Sequence, residues 1–322
     1  MDTSARTFAR AATERPPARA TRPPARPVPP RRTRWRPQGG PLTGMGFLAP
    51  ALLLVCMVSA YPIFLTVSYA LRETNYFDIG GFAGLDNLTR VLGSDQFLDV
   101  IRATALYVLG SLLLTICISL ALALCLNAED RPTRILRSVV LMPWAVSQVV
   151  TALLWIWLLS PGYGPVTSVL KDLFGTEPTF LADPTLAMVS VVVANTWMTY
   201  PLSTVLLLAA IKTLPDELYE AVEVDGGGLL AKFRHVTLPG IRYTLAITCV
   251  MQTVLYLNMV TLVYVMTGGG PLTSTETLSV QIFHQAFEYN DLGAAAVYAL
   301  VAVIANISFA LAYLRVIAGD DQ

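Results

Sequence analysis

The chain has 322 residues, 54% of them hydrophobic and only 14% charged, with a mean hydropathy of +0.57. Soluble domains carry roughly 25% charged residues, so an ordinary water-soluble domain is excluded and a membrane protein is expected. The 22 basic and 22 acidic residues cancel, which hides a strong asymmetry in where the basic ones lie.

Residues 1–43 form an Arg-, Pro- and Ala-rich tail without apolar periodicity, expected to be disordered and cytoplasmic. Arg31, Arg32, Arg34 and Arg36 around Trp35 would suit anionic headgroups; equally, the run would serve only to enforce an inside orientation. Six apolar runs follow, at 44–71, 104–127, 136–159, 186–211, 241–266 and 292–317. Each is long enough to cross ~30 Å of hydrocarbon as a helix, so the fold class is all-α and polytopic, with six transmembrane helices, a domain over 44–318 and a short tail at 319–322. The first run is too long, and too far from the start, for a cleaved signal peptide.

Eighteen of the 22 Lys and Arg fall on one side if the tail lies inside; only Arg72, Arg90, Arg102 and Lys171 fall outside. Positive charge sets topology, so both termini are expected in the cytoplasm, and so is the loop at 213–240. Cys56, Cys117, Cys125 and Cys249 all lie in the runs and read as small apolar packing residues. His235 and His284 are the only histidines, and neither a His-Glu-x-x-His nor a Cys-x-x-Cys pattern occurs. No metal site is expected, and a metal-dependent intramembrane protease is disfavoured.

The 213–240 loop is charged and broken by glycine, and cannot sit in hydrocarbon with its polar groups unsatisfied. Pro215 suits a first helical turn, and Asp216 and Glu217 suit the positive end of the helix dipole. Leu218, Ala221 and Val222 share a face, with Glu217 and Glu220 together elsewhere. Gly226, Gly227 and Gly228 stop that helix, and Asp225-Gly226 is expected to form a tight turn. Leu229, Phe233 and Val236 make a second short stripe, expected to end at Leu238-Pro239.

Glu220-Ala221-Val222, two residues, Asp225-Gly226-Gly227, then Phe233 and Leu238-Pro239 resemble the cytoplasmic coupling loop of binding-protein-dependent ABC importers. Val222 and Gly227 stand where that pattern has Ala, and Gly227 is expected to loosen the hinge. Further matches are Ala49-Pro50, Tyr61-Pro62, Phe82 to Asn87, Pro143-Trp144, Trp155, Trp157, Tyr163-Gly164, Thr267 to Pro271, Ala286-Phe287 and Gly293. In order, they resemble the first permease of a maltose- and glycerol-phosphate-type sugar importer pair. The resemblance implies a type I ABC importer permease fold and a bacterial plasma membrane. It also implies a second permease subunit in a heterodimer, two ATP-binding subunits and an extracytoplasmic solute-binding protein. The chain has no phosphate-cradling Gly-x-x-x-x-Gly-Lys-Ser/Thr loop. It is therefore expected to be no enzyme and to hold no cofactor, ATP being bound by the partners. The loop would dock in an ATPase cleft through its apolar face, with Glu220 pairing a basic residue there.

Polar and aromatic side chains at membrane depth are costly and mark function. Here they are Gln148, Thr151 and Trp155, then Asn195, Trp197 and Tyr200, then Gln252, Tyr256 and Asn258. Aromatic faces and amides suit sugars; the same side chains would equally serve as interhelical glue, at about 0.6–2 kcal/mol per bond. Pro201 is expected to kink or break the fourth run and free carbonyls. Glu276, Glu288 and Asp291, with Gly268 to Pro271, read as an acidic outer loop for docking or gating, or as a solvated turn.

The same machine carrying an amino acid or polyamine is the alternative, and the Gly-Gly-Gly-Pro element and interfacial Trp favour sugar. A stand-alone secondary transporter needs intramembrane charge and inverted repeats, and neither is found. Nucleic acid is not an expected partner.

Overall fold

In the computed structural model, residues 41–75, 78–128 and 130–318 are described; the Arg-rich tail through residue 40 and the 319–322 tail lie outside them. Contacts separate the chain into Met1–Val55 and Cys56–Gln322. The first, where described, is helix alone; the second holds the packed core.

Helix α1 runs Pro41–Ala70. Met57, Val58, Tyr61 and Phe64 are exposed along it, and among its described side chains only Ala70 at its end is buried. A two-stranded antiparallel hairpin, β1 (Arg72–Asn75) and β2 (Asp78–Phe82), follows, a small departure from the all-α expectation. Next come α2 (Asp86–Leu92) and α3 (Asp95–Cys125). Helix α3 begins nine residues before the apolar run at 104, because Ser94 caps it by accepting from the Phe97 N–H at 3.2 Å. Hydropathy finds the span, not the polar first turns that the cap makes possible.

The third run is not one straight helix. Helix α4 (Arg131–Leu141) leads into a 3₁₀ turn at Met142–Ala145 and then α5 (Gln148–Leu158), with a 98° bend between the two limbs. Pro143 lies in that turn, and Ser147 starts α5 afresh by accepting from Val150 N–H. Arg137 of α4 donates to the Leu126 and Ala128 carbonyls, capping the C-terminal end of α3. An 11-residue α5 is about 17 Å long, shorter than the hydrocarbon core. Among the described residues, five helices are long and apolar enough to cross a membrane, and the bent pair would make a sixth.

Helix α6 (Pro165–Phe174) precedes α7 (Pro184–Ile211). Asp183 caps α7 by accepting from Thr185 N–H at 2.9 Å and Leu186 N–H at 2.8 Å. Pro201 does not break α7; side-chain bonds described below reach the Thr199 and Tyr200 carbonyls just before it. Two short helices, α8 (Asp216–Val224) and α9 (Leu229–Lys232), make the loop. A π-helical turn, Phe233–Thr237, then joins α9 to α10 (Leu238–Leu257) in one 29-residue helix from Leu229. Leu238-Pro239 therefore does not end the second stripe. Pro239 sits in the first turn of α10, where the wider i→i+5 turn before it accommodates a residue with no N–H. The fifth run breaks at 258–260, giving α11 (Thr261–Thr267), then α12 (Leu278–Phe283), a second π turn at His284–Glu288 and α13 (Leu292–Ala318).

Helices α3 and α7 form the spine. Tyr107, Ser111, Thr115, Ser119 and Ala123 recur every four residues on α3 and are all fully buried, a small-residue stripe that lets helices approach closely. Tyr107 and Val108 pack with Val191, Ala194 and Met198 of α7, Ala152 of α5 and Leu262 of α11. At the loop end, Ala123, Leu126, Leu207, Ile211 and Ile241 form a second cluster. Of the cysteines, Cys56, Cys117 and Cys125 are exposed and Cys249 half-buried, all free, so three of them do not pack inside the chain.

The remaining cluster ties the hairpin to α13. Asn87 donates to the Ala70 and Arg72 carbonyls, Thr74 accepts from Gly293 N–H, and Arg90 pairs with Asp291 at 2.7 Å. Burial works to raise the Asp291 carboxyl, but Arg90, the Ala294 N–H and Thr74 outweigh it and hold the group below its ordinary range. A Cβ on Gly293 would stand 2.7 Å from Asn87 Nδ2 and 2.9 Å from Thr74 Oγ1. Gly293→Ala is thus expected to destabilise the chain by about 1–3 kcal/mol, read as a lowered unfolding temperature in detergent.

Candidate functional site

The α8–α9 loop is built on a closed helix end. Pro215 takes the N-cap position, extended at ψ 137°, so α8 starts one residue later than its proline suggests, on Asp216 and Glu217. At the other end, Gly226 N–H donates to Glu223 carbonyl at 3.0 Å and Gly227 N–H to Val222 carbonyl at 2.8 Å. Gly226 is left-handed at φ +79°. This pair of bonds is the Schellman arrangement, which satisfies the last carbonyls of a helix and needs a residue free to take positive φ.

Gly227 is not a loose hinge. A Cβ there would lie 2.6 Å from Val222 Cγ1, 2.9 Å from Val222 O and 3.1 Å from Ala231 Cβ. The two positions that depart from the Ala-containing pattern thus occupy each other's space, valine filling what glycine vacates.

Three contacts unseen in the sequence hold the lobe together. Lys232 Nζ bonds Glu223 Oε2 at 2.6 Å across the glycines, and this bond and charge hold the Glu223 carboxyl below its usual range. The Tyr219 hydroxyl lies 3.1 Å from Thr237 Oγ1. Leu214 packs at the place where a Cβ on Gly240 would be, 2.5 Å from its Cδ2. The only sequence signal for these was opposite charge on either side of the glycine run.

Of the predicted docking residues, Glu217, Leu218, Glu220, Ala221, Asp225, Gly226, Leu238 and Pro239 are exposed, while Val222, Gly227 and Phe233 are half-buried. Val236 is buried, but Leu229 is 87% exposed, so the second stripe is seated only at its far end. Val224 at 87% and Leu230 at 78%, which the sequence pattern did not single out, join Leu218 and Leu229 as uncovered apolar side chains.

The polar set at membrane depth divides. Gln148 is half-buried at the start of α5. Thr151 and Asn195 are fully buried, with Thr151 Oγ1, both Asn195 amide atoms and Trp155 Nε1 lacking partners among the described residues. Trp155 and Trp197 meet edge to face at 6.4 Å. Tyr200 is half-buried, and Asn258 is exposed, bonding Asn306 Oδ1 and Val254 carbonyl. Gln252 and Tyr256 are buried and bonded to neighbouring helices.

The acidic outer loop is not a free surface. Glu276 is buried against His284 Nδ1 at 2.9 Å, Glu288 accepts from the Tyr264 hydroxyl at 2.9 Å, and Asp291 is taken by Arg90. Each acid has found a partner inside the chain.

Residues 114–318 match the profile described as binding-protein-dependent transport system inner membrane component. The chain is 30% identical over 274 residues to the trehalose/maltose transport system permease protein MalF of Thermococcus litoralis, covering 85% of this chain and 92% of that one. It is 29% identical over 299 residues to the sulfoquinovosyl glycerol transport system permease protein SmoG of Agrobacterium fabrum, covering 91% and 96%. Among solved structures, a chain of a bacterial alginate ABC transporter, crystallised with an alginate pentasaccharide-bound periplasmic protein, superposes with a TM-score of 0.71. That match is 22% identical and covers 84% of this chain and 92% of the other, which establishes a shared ABC importer permease fold. The chain is a multi-pass membrane protein and belongs to the binding-protein-dependent transport system inner membrane component family.

Proposed function

We propose that this chain is the first permease of a heterodimeric pair in an ATP-driven importer for a sugar, a mono- or oligosaccharide or related polyol. The observation that carries the reading is the α8–α9 lobe. It is closed at Gly226, clipped by Glu223–Lys232, and presents Leu218, Val224, Leu229 and Leu230 uncovered beside Glu220. Exposed apolar side chains grouped in this way suit a protein partner. A lone surface ion pair is worth about 0–1 kcal/mol, so the apolar face supplies the docking energy and Glu220 the register. Two ATP-binding subunits would take this lobe from the cytoplasm and hydrolyse ATP; the chain itself binds no nucleotide. A solute-binding protein delivers the sugar from outside, with both termini in the cytoplasm of a bacterial plasma membrane.

The sugar reading is supported by relatives named as transport permeases for trehalose and maltose, sulfoquinovosyl glycerol and galactooligosaccharides. The path would draw on Gln148, Thr151, Trp155, Asn195, Trp197, Tyr200 and Asn258, where unpartnered polar atoms and paired indoles occur together. Gln252 and Tyr256 we infer to be helix–helix contacts instead.

The test is reconstitution in proteoliposomes with a second permease, an ATPase and a solute-binding protein from the same organism. ATP-dependent uptake of a radiolabelled oligosaccharide, and none of amino acids or polyamines, is expected. With Cys56, Cys117, Cys125 and Cys249 replaced by Ala, a Leu230→Cys variant should react only with inside-added maleimide. Uptake without the ATPase, or labelling from outside, would refute the reading.

A further inference from the structure

Among the buried polar groups, one hydrogen-bonded set spans three helices. The Thr199 hydroxyl donates to the Asn195 carbonyl at 2.8 Å, so its single proton is committed and it can only accept from elsewhere. The Tyr256 hydroxyl, 2.8 Å away, must therefore donate to Thr199. Thr115 of α3, 2.9 Å from that same hydroxyl, in turn donates to Tyr256. The result is a directed chain from α3 through α10 to the backbone of α7. Four residues earlier on α10, Gln252 Nε2 donates to Ser203 Oγ at 2.5 Å and to the Thr199 carbonyl at 3.3 Å. A carbonyl can only accept, which fixes the orientation of that amide.

These contacts bracket Pro201. Thr199 lies two residues before it and Ser203 two after. Pro201 has no N–H to give the Trp197 carbonyl, which makes this the weak point of α7. Ser119 of α3 and Thr204 of α7 itself both donate to the Tyr200 carbonyl, at 3.0 and 2.8 Å, one residue before the proline. Helix α10, for its part, is the far end of the 29-residue helix that starts at Leu229 in the exposed lobe, about 40 Å of continuous rod. It stops one residue after Tyr256.

We propose that Gln252 and Tyr256 are positioning residues that join the loop-driven α9–α10 rod to both sides of the Pro201 weak point in α7. The proposal rests on the importer reading for what drives the rod. The grip itself is a property of this chain. Gln252 Oε1 is buried without a donor, so the amide is held by one edge, as befits a contact that must be remade when α7 flexes. Motion of the lobe then reaches α7 without crossing a loop, and the spine helix α3 serves as its anchor.

The test compares wild type with Tyr256→Phe, which removes one hydroxyl and keeps the ring, and with Gln252→Leu, in the complete reconstituted transporter. In both variants ATP hydrolysis is expected to stay near wild type while uptake per ATP falls about tenfold, the effect of roughly one lost interhelical contact at the barrier. A merely structural role would lower hydrolysis, uptake and assembly together, and that result, or unchanged uptake per ATP, would overturn the proposal. A second readout needs no transport. Spin labels at Val205 on α7 and Leu255 on α10, both exposed, should give a narrow distance distribution in wild type and a broadened one in the Gln252→Leu/Tyr256→Phe pair. An unbroadened distribution would overturn the grip whatever the importer does. Absent uptake in wild type with a normal narrow distribution would instead refute the importer reading alone.

Discussion

Gly226→Val is expected to abolish ATP-driven uptake while leaving the chain inserted and folded. Gly226 sits at φ +79°, and a Cβ there would meet nothing within 4 Å. The damage is therefore purely conformational, about 1–2 kcal/mol against a residue in the left-handed region, more for a β-branched one. Once that residue leaves positive φ, the bonds from Gly226 to Glu223 and from Gly227 to Val222 cannot both close, and α9 swings away from α8. Gly226→Asn should retain most uptake, because Asn tolerates that region. Glu220→Ala, by contrast, alters no backbone and should lower ATPase association while leaving protease resistance of the isolated loop unchanged. Full uptake by Gly226→Val would remove the lobe from the mechanism.

The second large effect is a non-additive pair. Gly227→Ala alone drives a methyl into Val222 Cγ1, at a cost of about 1–3 kcal/mol for overpacking. Val222→Ala alone removes two methyls from a half-buried site and should cost about 1 kcal/mol. Together they recreate the Ala-containing pattern of the family's loop, with the added methyl standing where the valine's was. The double variant should recover most of the uptake that Gly227→Ala loses. Recovery stops short of complete because the Val222 carbonyl still lies 2.9 Å from the new Cβ. Uptake and amide exchange across 218–232 measure the cycle. Simple additivity would show that the two positions are independent.

These effects fall where the sequence was most legible. The loop could be read because its information is local: glycines at fixed offsets, acids in a first turn, a helix that must end. Local reading failed where the determining contact lies far along the chain. Arg90 and Asp291 are 201 residues apart, and no pattern announces that Asp291 is spoken for, or that Glu276 lies buried against His284. It failed again where an apolar run conceals a change of direction. Pro143 looked like a proline within a span, whereas Ser147 restarts the helix after a 98° bend. Among the intramembrane polar residues, composition alone could not separate Gln252 and Tyr256, engaged with α7 and α3, from Asn195 and Thr151, whose side chains have no hydrogen-bond partner among the described residues. That division depends on which helices are neighbours.

The π turn at Phe233–Thr237 sets the rotational phase of the lobe. An i→i+5 turn holds one residue more than its α-helical equivalent, and each residue of an α-helix advances the azimuth by about 100°. The side chains of α9 are thereby dialled around the axis relative to those of α10, so that Leu229 and Leu230 can face outward while Ile241 faces the bundle. Length here acts as an angular setting. A relative lacking that surplus residue would present a different flank of its lobe, so on the importer reading permeases that share one ATPase would need to agree on it.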